Sequence, residues 1–179
     1  QIELGIRFWE EPFRQVTAVQ MNIWEFKNLM KTGGRLPSLR EIIDWFKDRR
    51  INSVISMGRF GALGVYGDGK HGLIYGQSLL PPDRVRDTTG AGDAFAAGLV
   101  SVLAGKLSFS FDDFRRAIAE AGCWASYACT TFGGSGQCPG RQELDAFRKE
   151  LGDDGATSVK IVDIKAAGPM LDMMDLLYS

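Results

Sequence analysis

The segment DTTGAGD, from Asp87 to Asp93, holds residue types that could carry out chemistry. Gly90 and Gly92 have no Cβ, so their backbone N–H groups can approach an anion closely. A helix that begins here would add the positive end of its dipole, which also favours negative charge. A carboxylate at Asp93 would repel a bound phosphate, but it could take a proton from an attacking hydroxyl. The segment therefore predicts a proton acceptor beside an anion-binding turn.

A second interpretation of Asp93 is structural, because Asp stabilises the first turn of a helix. For an isolated GAGD string, this interpretation would be preferred. The sequence contains no G-x-x-x-x-G-K-[ST] motif, and its nearest approach, Gly64 to Lys70, is followed by His71. A dinucleotide-binding fingerprint does not require an acid where Asp93 stands. The function of the segment therefore depends on the rest of the chain.

The chain before this segment contains two predicted units of a strand and a helix. Residues 16–21 are a short, β-branched and partly apolar run, which predicts a strand that ends at Asn22 and leads into a helix. Ser38 and Glu41 have the spacing of a capping box that opens the next helix. Residues 51–57 form a short apolar run that is typical of a buried parallel strand.

The chain after residue 61 predicts a hairpin and three helices. Two apolar runs surround the turn 67–72 and indicate a β-hairpin with His71 at its solvated tip. A short polar strand is expected before Asp87. Helices are predicted over residues 94–104, 111–128 and 143–151. The alternation predicts an α/β layered fold with a mostly parallel sheet, in which ligands bind beyond the carboxyl ends of the strands.

The composition argues against several classes of function. The net charge is −1, so neither nucleic acid nor an anionic membrane surface is expected as a partner. No apolar run approaches the roughly 18 residues of a membrane span, and no signal peptide is expected. The three cysteines form no C-x-x-C pair and there is one histidine, which argues against zinc and predicts reduced thiols in the cytoplasm.

The longer string DTTGAGDAF, residues 87–95, resembles the signature of the ribokinase-like, or PfkB, carbohydrate kinase family. Three further segments resemble elements of that family and follow in the family's order. Residues 22–25 (NIWE) are similar to its N-x-x-E element. Residues 56–62 (SMGRFGA) are similar to its T-L-G-x-x-G-A turn, with Ser56 in place of Thr. Residues 128–134 (ACTTFGG) resemble the loop that closes over the adenine.

This resemblance implies ATP-dependent phosphoryl transfer to a hydroxyl of a sugar or related small molecule. It implies that Asp93 is the catalytic base and that backbone N–H groups of Gly90, Ala91 and Gly92 form the anion hole. Nucleotide binding is implied for Asn22, Ser56, Gly58, Gly61, Gly92 and Ala121. A magnesium ion, reached through water, is implied for Glu25 with Asn22. A potassium ion is implied for Asp87, Thr89, Ala128, Thr131 and Gly133.

Two departures from the family pattern bear on these roles. Gln137 stands where relatives often have Ser or Gly, which bears on the potassium site. Near Ala121, relatives often carry Asn or His against the adenine, and this chain has neither. The resemblance further implies a ribokinase-like three-layer α/β/α domain over residues 1–152, without the family's N-terminal part and lid, and a C-terminal extension over residues 153–179.

The sequence leaves the substrate open. The family's G-G-x-x-x-N element for sugar binding is not found in this chain. A sugar, a sugar acid, a nucleoside and a polyol are all open as substrates, and a sugar or sugar acid is favoured. The oligomeric state is also open, and a homodimer is one alternative. Two other functions fit the same residues: a noncatalytic ribokinase-like module that binds nucleotide or protein, and a vitamin kinase of the same superfamily. The intact Asp93 and Gly92 argue against the first, and the DTTGAGD string argues against the second.

Overall fold

The computed structural model describes residues 5–106, 108–133, 139–152, 158–163 and 167–178. Its helices are α1 (Gly5–Gln15), α2 (Ile23–Leu29), α3 (Leu39–Arg49), α4 (Ala91–Leu103), α5 (Phe111–Ala128), α6 (Arg141–Glu150) and α7 (Gly168–Leu177). Its strands are β1 (Val19–Asn22), β2 (Ser53–Ser56), β3 (Ala62–Val65), β4 (Leu73–Gly76) and β5 (Val159–Val162). Short 3-10 turns lie at Gly58–Phe60 and Pro82–Arg84.

The strands form one sheet in the order β1-β2-β3-β4-β5. β1 and β2 are parallel, with Val19 opposite Ser53 and Asn22 opposite Ser56. The helices α2 and α3 connect these two strands, whereas a short turn connects β3 to β4, as the predicted hairpin requires. The sheet is therefore mixed, and the predicted α/β fold class is confirmed.

The chain divides into two compact units. The first unit comprises Gln1–Met57, Leu63–Ile74 and Ile161–Ser179, and the second comprises Gly58–Ala62 and Tyr75–Lys160. Large apolar side chains fill the core of the first unit, among them Ile23, Phe26, Leu39, Ile42, Ile43, Phe46, Ile55 and Leu171. The core of the second unit contains Phe95, Leu99, Phe114, Ala117, Ile118, Ala121 and Cys123. Each unit therefore buries its own set of apolar side chains.

Local capping sets where two of the helices begin. The Ser38 hydroxyl accepts a hydrogen bond from the Glu41 N–H at 3.2 Å, and the Glu41 carboxylate accepts one from the Ser38 N–H at 2.7 Å. This confirms the predicted capping box of α3. Asn22 and Glu25 form the same reciprocal pair at the start of α2. The capping side chains at the start of α2 and α3 are thereby fixed by hydrogen bonds to backbone N–H groups of the same helix end.

Two expectations about the segment before α4 are corrected by the structure. Helix α4 begins at Ala91 and not at residue 94, because Gly90 takes a left-handed conformation (φ 78°) that turns the chain directly into the helix. Residues 77–86, which lead up to Asp87, contain no strand. The N–H groups of Arg86 and Asp87 instead donate to the carbonyl of Cys129, at 2.8 and 3.4 Å.

The described residues contain no helix that is both long enough and apolar enough to span a lipid bilayer.

Candidate functional site

The start of α4 leaves backbone donors free. Gly90 occupies the N-cap position and has no side chain to cap the helix. The Ala91 N–H donates to the Thr88 carbonyl at 3.2 Å. Among the described residues, no acceptor is found for the N–H groups of Gly92 and Asp93, and both residues are exposed. This helix end can therefore bind an anion, with the Asp93 carboxylate in the same turn.

Asp87 organises the turn that leads into α4. Its Oδ1 accepts hydrogen bonds from the N–H and the hydroxyl of Thr89, at 2.9 and 2.8 Å, and its Oδ2 accepts one from the Gly133 N–H at 3.0 Å. The backbone N–H groups of Thr89 and Gly133, with the Thr89 hydroxyl, hold the pKa of Asp87 below its ordinary value. Asp87 therefore stays ionised and connects the turn to the loop after α5.

The loop after α5 is ordered by hydrogen bonds to its own carbonyls. The Thr130 hydroxyl donates to the Tyr127 carbonyl at 2.7 Å, and the Thr131 hydroxyl donates to the Ala128 carbonyl at 3.4 Å. The Cys129 carbonyl accepts the N–H groups of residues 86 and 87. The residues expected at a potassium site, Asp87, Thr89, Ala128, Thr131 and Gly133, thus lie on two connected segments of the second unit. Gly134 and Gln137 lie outside the described residues.

A cavity of about 60 Å³, open to solvent, lies within the second unit. Three segments and the helices α4 and α5 line it: Gly58, Gly61, Ala62, Gly76–Leu79, Phe95, Ile118, Ala119, Gly122, Ala125, Ser126, Ser158 and Val159. Gly58 and Gly61 belong to the turn that the sequence singles out for nucleotide binding. The other lining residues were not predicted, although the small residues on α5 were a signal that something packs closely there.

Ala121 does not line this cavity. It is fully buried and faces α4, where a Cβ on Gly98 would lie 2.6 Å from the Ala121 Cα. The neighbouring residues Gly122 and Ala125 line the cavity instead. Helix α5 thus uses small residues both to approach α4 and to line the cavity.

Gly61 is required by the geometry of its turn. Its φ is 86°, and its N–H donates to the Gly58 carbonyl at 3.0 Å. A Cβ at this position would overlap the carbonyl of Gly76. The close approach of these two segments, on the wall of the cavity, therefore admits only glycine at residue 61.

The remaining predicted site residues belong to the first unit. The Asn22 N–H donates to Glu25 Oε2 at 2.8 Å, and the Glu25 N–H donates to Asn22 Oδ1 at 2.9 Å. The Ser56 hydroxyl accepts from the Gln20 side chain at 3.5 Å. Asn22 and Ser56 are opposite residues at the carboxyl ends of the parallel strands β1 and β2. The edge of the sheet thus brings these polar groups together.

Comparisons with known proteins agree with this arrangement of segments. The family model described as pfkB family carbohydrate kinase matches residues 9–139, which is more than half of the chain. A comparison with curated proteins finds no match.

Solved structures of kinases share the fold. Fructokinase from Vibrio cholerae O395, in a form with fructose, ADP and calcium ion, is 25% identical with a TM-score of 0.60, and the match covers 74% of this chain and 41% of that one. A double mutant of the same fructokinase, with fructose, ADP and potassium ion, is 25% identical with a TM-score of 0.60, covering 74% and 40%.

Aminoimidazole riboside kinase from Salmonella enterica, complexed with aminoimidazole riboside and an ATP analog, is 24% identical with a TM-score of 0.63. That match covers 79% of this chain and 45% of the other, and at this identity it bears on the fold alone. The chain spans less than half the length of these three structures. The α/β fold is of the ribokinase-like kind, and the chain belongs to the pfkB family of carbohydrate kinases.

Proposed function

We propose that this chain carries the nucleotide-binding and catalytic residues of a kinase that transfers a phosphoryl group from ATP to a hydroxyl of a sugar or related small molecule. The observation that carries the proposal is the uncapped start of α4, where exposed N–H groups of Gly92 and Asp93 lie beside the Asp93 carboxylate. A group that only bound phosphate would gain nothing from a carboxylate there, whereas a phosphotransferase needs a proton acceptor next to its anion hole.

The cavity of the second unit fits the base of a nucleotide. Its volume is about 60 Å³ and one side opens to solvent, so the cavity would contact one part of the nucleotide and not the whole of it. Its walls are mainly apolar or backbone, with Gly58 and Gly61 on one side and Gly122 and Ala125 on another. A flat aromatic base can pack closely against such small residues. We infer that these residues bind the base of ATP.

In the proposed mechanism, ATP supplies the phosphoryl group when bound. The Asp93 carboxylate accepts the proton of the substrate hydroxyl as that hydroxyl attacks. The free backbone N–H groups of Gly92 and Asp93 donate to the phosphoryl oxygens, where charge is held during transfer, whereas the Ala91 N–H already donates to the Thr88 carbonyl. The turn is already set by Gly90 and by the hydrogen bonds to Asp87, so little reorganisation is needed.

The oxygen donors of the chain suit two kinds of cation. Glu25 is exposed, and its hydrogen bond to the Asn22 N–H fixes the orientation of its carboxylate, which suits a magnesium ion held through water. Asp87 with carbonyls of the loop after α5 suits a potassium ion. When bound, magnesium would offset negative charge on the phosphates, and potassium would order the carbonyls around the anion hole.

The acceptor proposed is a sugar or sugar acid. The fructokinase structures at 25% identity support a sugar, since both contain fructose. The test is to measure ADP formation from ATP against a panel of sugars, sugar acids and nucleosides, with a complete version of the enzyme, because the family's sugar-binding element and lid are not found in residues 1–179 and little turnover is expected from these residues alone. We expect magnesium-dependent ADP formation that requires one of the sugars or sugar acids. Binding of ATP without ADP formation for any acceptor would instead favour a noncatalytic nucleotide-binding module.

A further inference from the structure

The C-terminal helix α7 and the residue after it, Tyr178, lie beyond residues 9–139, which match the family model. Leu171 and Met174 bury this helix in the core of the first unit, and it packs against α3. The same unit contains Asn22, Glu25 and Ser56. The helix is therefore integrated into the unit that carries these predicted ligands.

A buried ion pair joins α7 to α2. Lys27, two residues after Glu25, is only 3% exposed, and its Nζ lies 3.0 Å from Asp175 Oδ1. The same Nζ donates to the Tyr178 carbonyl at 3.2 Å. Asp175 Oδ1 also accepts the Leu39 N–H at the start of α3, at 2.8 Å. Because a buried ammonium must be paired, α2 is held in the orientation that places Lys27 against α7.

Tyr178 connects α7 to the two elements that carry the predicted ligands. Its hydroxyl donates to the Met57 carbonyl at 2.8 Å, directly after Ser56 at the end of β2. Its ring lies edge-on to the ring of Trp24, with centroids 5.8 Å apart. Trp24 stands between Asn22 and Glu25 in the sequence. Tyr178 therefore contacts both the N-x-x-E element and the end of β2 from one side.

We propose that Lys27, Asp175 and Tyr178 are positioning residues, which hold the Asn22–Glu25 element and the end of β2 in the orientation needed to bind magnesium and phosphate. This inference rests on the proposed function, because it takes Glu25 as the magnesium residue. Helix α2 has only seven residues and is too short to be stable alone, so its orientation depends on what it packs against. Groups that orient metal ligands from outside tune metal affinity without touching the ion.

The test compares two shape-conserving variants with a matched control. Tyr178→Phe removes the hydrogen bond to Met57 and keeps the ring on Trp24, and Asp175→Asn removes the charge next to Lys27. Asp172→Asn makes the same change at an exposed position of α7. Calorimetry gives the Kd of ADP for each protein with excess magnesium and with EDTA. We define the magnesium effect as the Kd of ADP in EDTA divided by the Kd of ADP in excess magnesium.

We expect the magnesium effect to fall by about 10-fold in Tyr178→Phe and Asp175→Asn, with binding in EDTA unchanged. Asp172→Asn should keep the wild-type ratio. Hydrogen exchange over residues 22–30 should be faster in the two variants and unchanged in the control.

Three results would overturn the proposal. A lowered melting temperature with an unchanged magnesium effect would assign these residues a structural role only. Equal exchange over residues 22–30 in all proteins would show that α7 does not position α2. Wild-type protein that binds no ADP in either buffer would overturn the proposed function, and this inference with it.

Discussion

Asp93 is exposed in the first turn of α4, where it could act as a base or only stabilise the helix. Asp93→Asn keeps the size of the side chain and removes its ability to take a proton. We expect kcat to fall by about 10²-fold or more, with the affinity for ATP nearly unchanged. Steady-state kinetics with the acceptor found in the substrate panel measures both quantities.

Asp112 provides the matched control for this change. It stands in the first turn of α5, and 76% of its side chain is exposed. Asp112→Asn therefore removes a similar helix interaction without touching the candidate site, and kcat should not change. If Asp93→Asn keeps kcat within a few-fold of the parent, the base is another residue.

A comparison of alanine substitutions at Gly61 and Gly69 separates the cost of backbone strain from the cost of steric overlap. Both have positive φ, 86° and 71°, but a Cβ at Gly61 would overlap the Gly76 carbonyl, whereas a Cβ at Gly69 meets nothing within 4 Å. Gly69→Ala should cost about 1–2 kcal/mol of unfolding free energy through strain. Gly61→Ala should cost more and should also weaken ADP binding, because residue 61 lines the cavity. Denaturant unfolding measures the loss of stability, and calorimetry measures the binding of ADP. Equal unfolding free energies for Gly61→Ala and Gly69→Ala would contradict the predicted overlap.

At the scale of an element, the start of α3 concentrates charge around one carboxylate. Arg35 contacts both oxygens of Glu41, at 2.9 and 2.7 Å, and the Ser38 N–H donates to the same group. Arg35 first, and the Ser38 N–H second, lower the pKa of Glu41 from 4.5 to about 2. Since the pKa is lower in the folded state, the ionised carboxylate stabilises folding.

The consequence is a defined pH dependence. The contribution of Glu41 should be fully present above about pH 4.5 and lost as the pH falls towards 2. Glu41→Gln should therefore lower the unfolding free energy at neutral pH, and its difference from wild type should shrink over that window. Because both side chains are substantially exposed, high salt should reduce the difference. A difference that stays constant from pH 7 to pH 2 would assign the effect to something other than ionisation.

At the scale of the whole molecule, two segments distant in sequence meet at Asp87. Its Oδ2 accepts the N–H of Gly133, 46 residues away, within one compact unit. If a potassium ion binds between these segments, it orders the backbone dipoles around the anion hole. We therefore expect activity to be higher in potassium chloride than in sodium chloride or in a salt of a bulky organic cation, at equal ionic strength.

Asp87→Asn tests the residue behind this effect. The amide keeps one acceptor oxygen, so it retains the hydrogen bonds to either Thr89 or Gly133 but not both. It has no charge to offer a cation, so the preference for potassium should weaken. Initial rates in the three salts, for both proteins, check this prediction. Activity that is independent of potassium in the wild type would remove the cation site and leave Asp87 with the structural role seen in its hydrogen bonds.

Features that depend on residues close together in the sequence could be predicted from it. The Ser38–Glu41 capping box, the hairpin around residues 67–72 and the course of α5 all follow from contacts over a few positions. The family, too, was predicted from four short segments. The roles of Asp93, Glu25 and Asp87 in catalysis and ion binding stay predictions.

What the tertiary structure alone decided involves groups far apart in the chain. The segment before Asp87 forms no strand, and the N–H groups of Arg86 and Asp87 donate to the Cys129 carbonyl at the end of α5. The cavity is lined by segments between residues 58 and 159, and Lys27 is buried against Asp175. No sequence pattern marks such partners, because a hydrogen bond or ion pair depends on distance in space. Only the packing of helices on the sheet sets that distance.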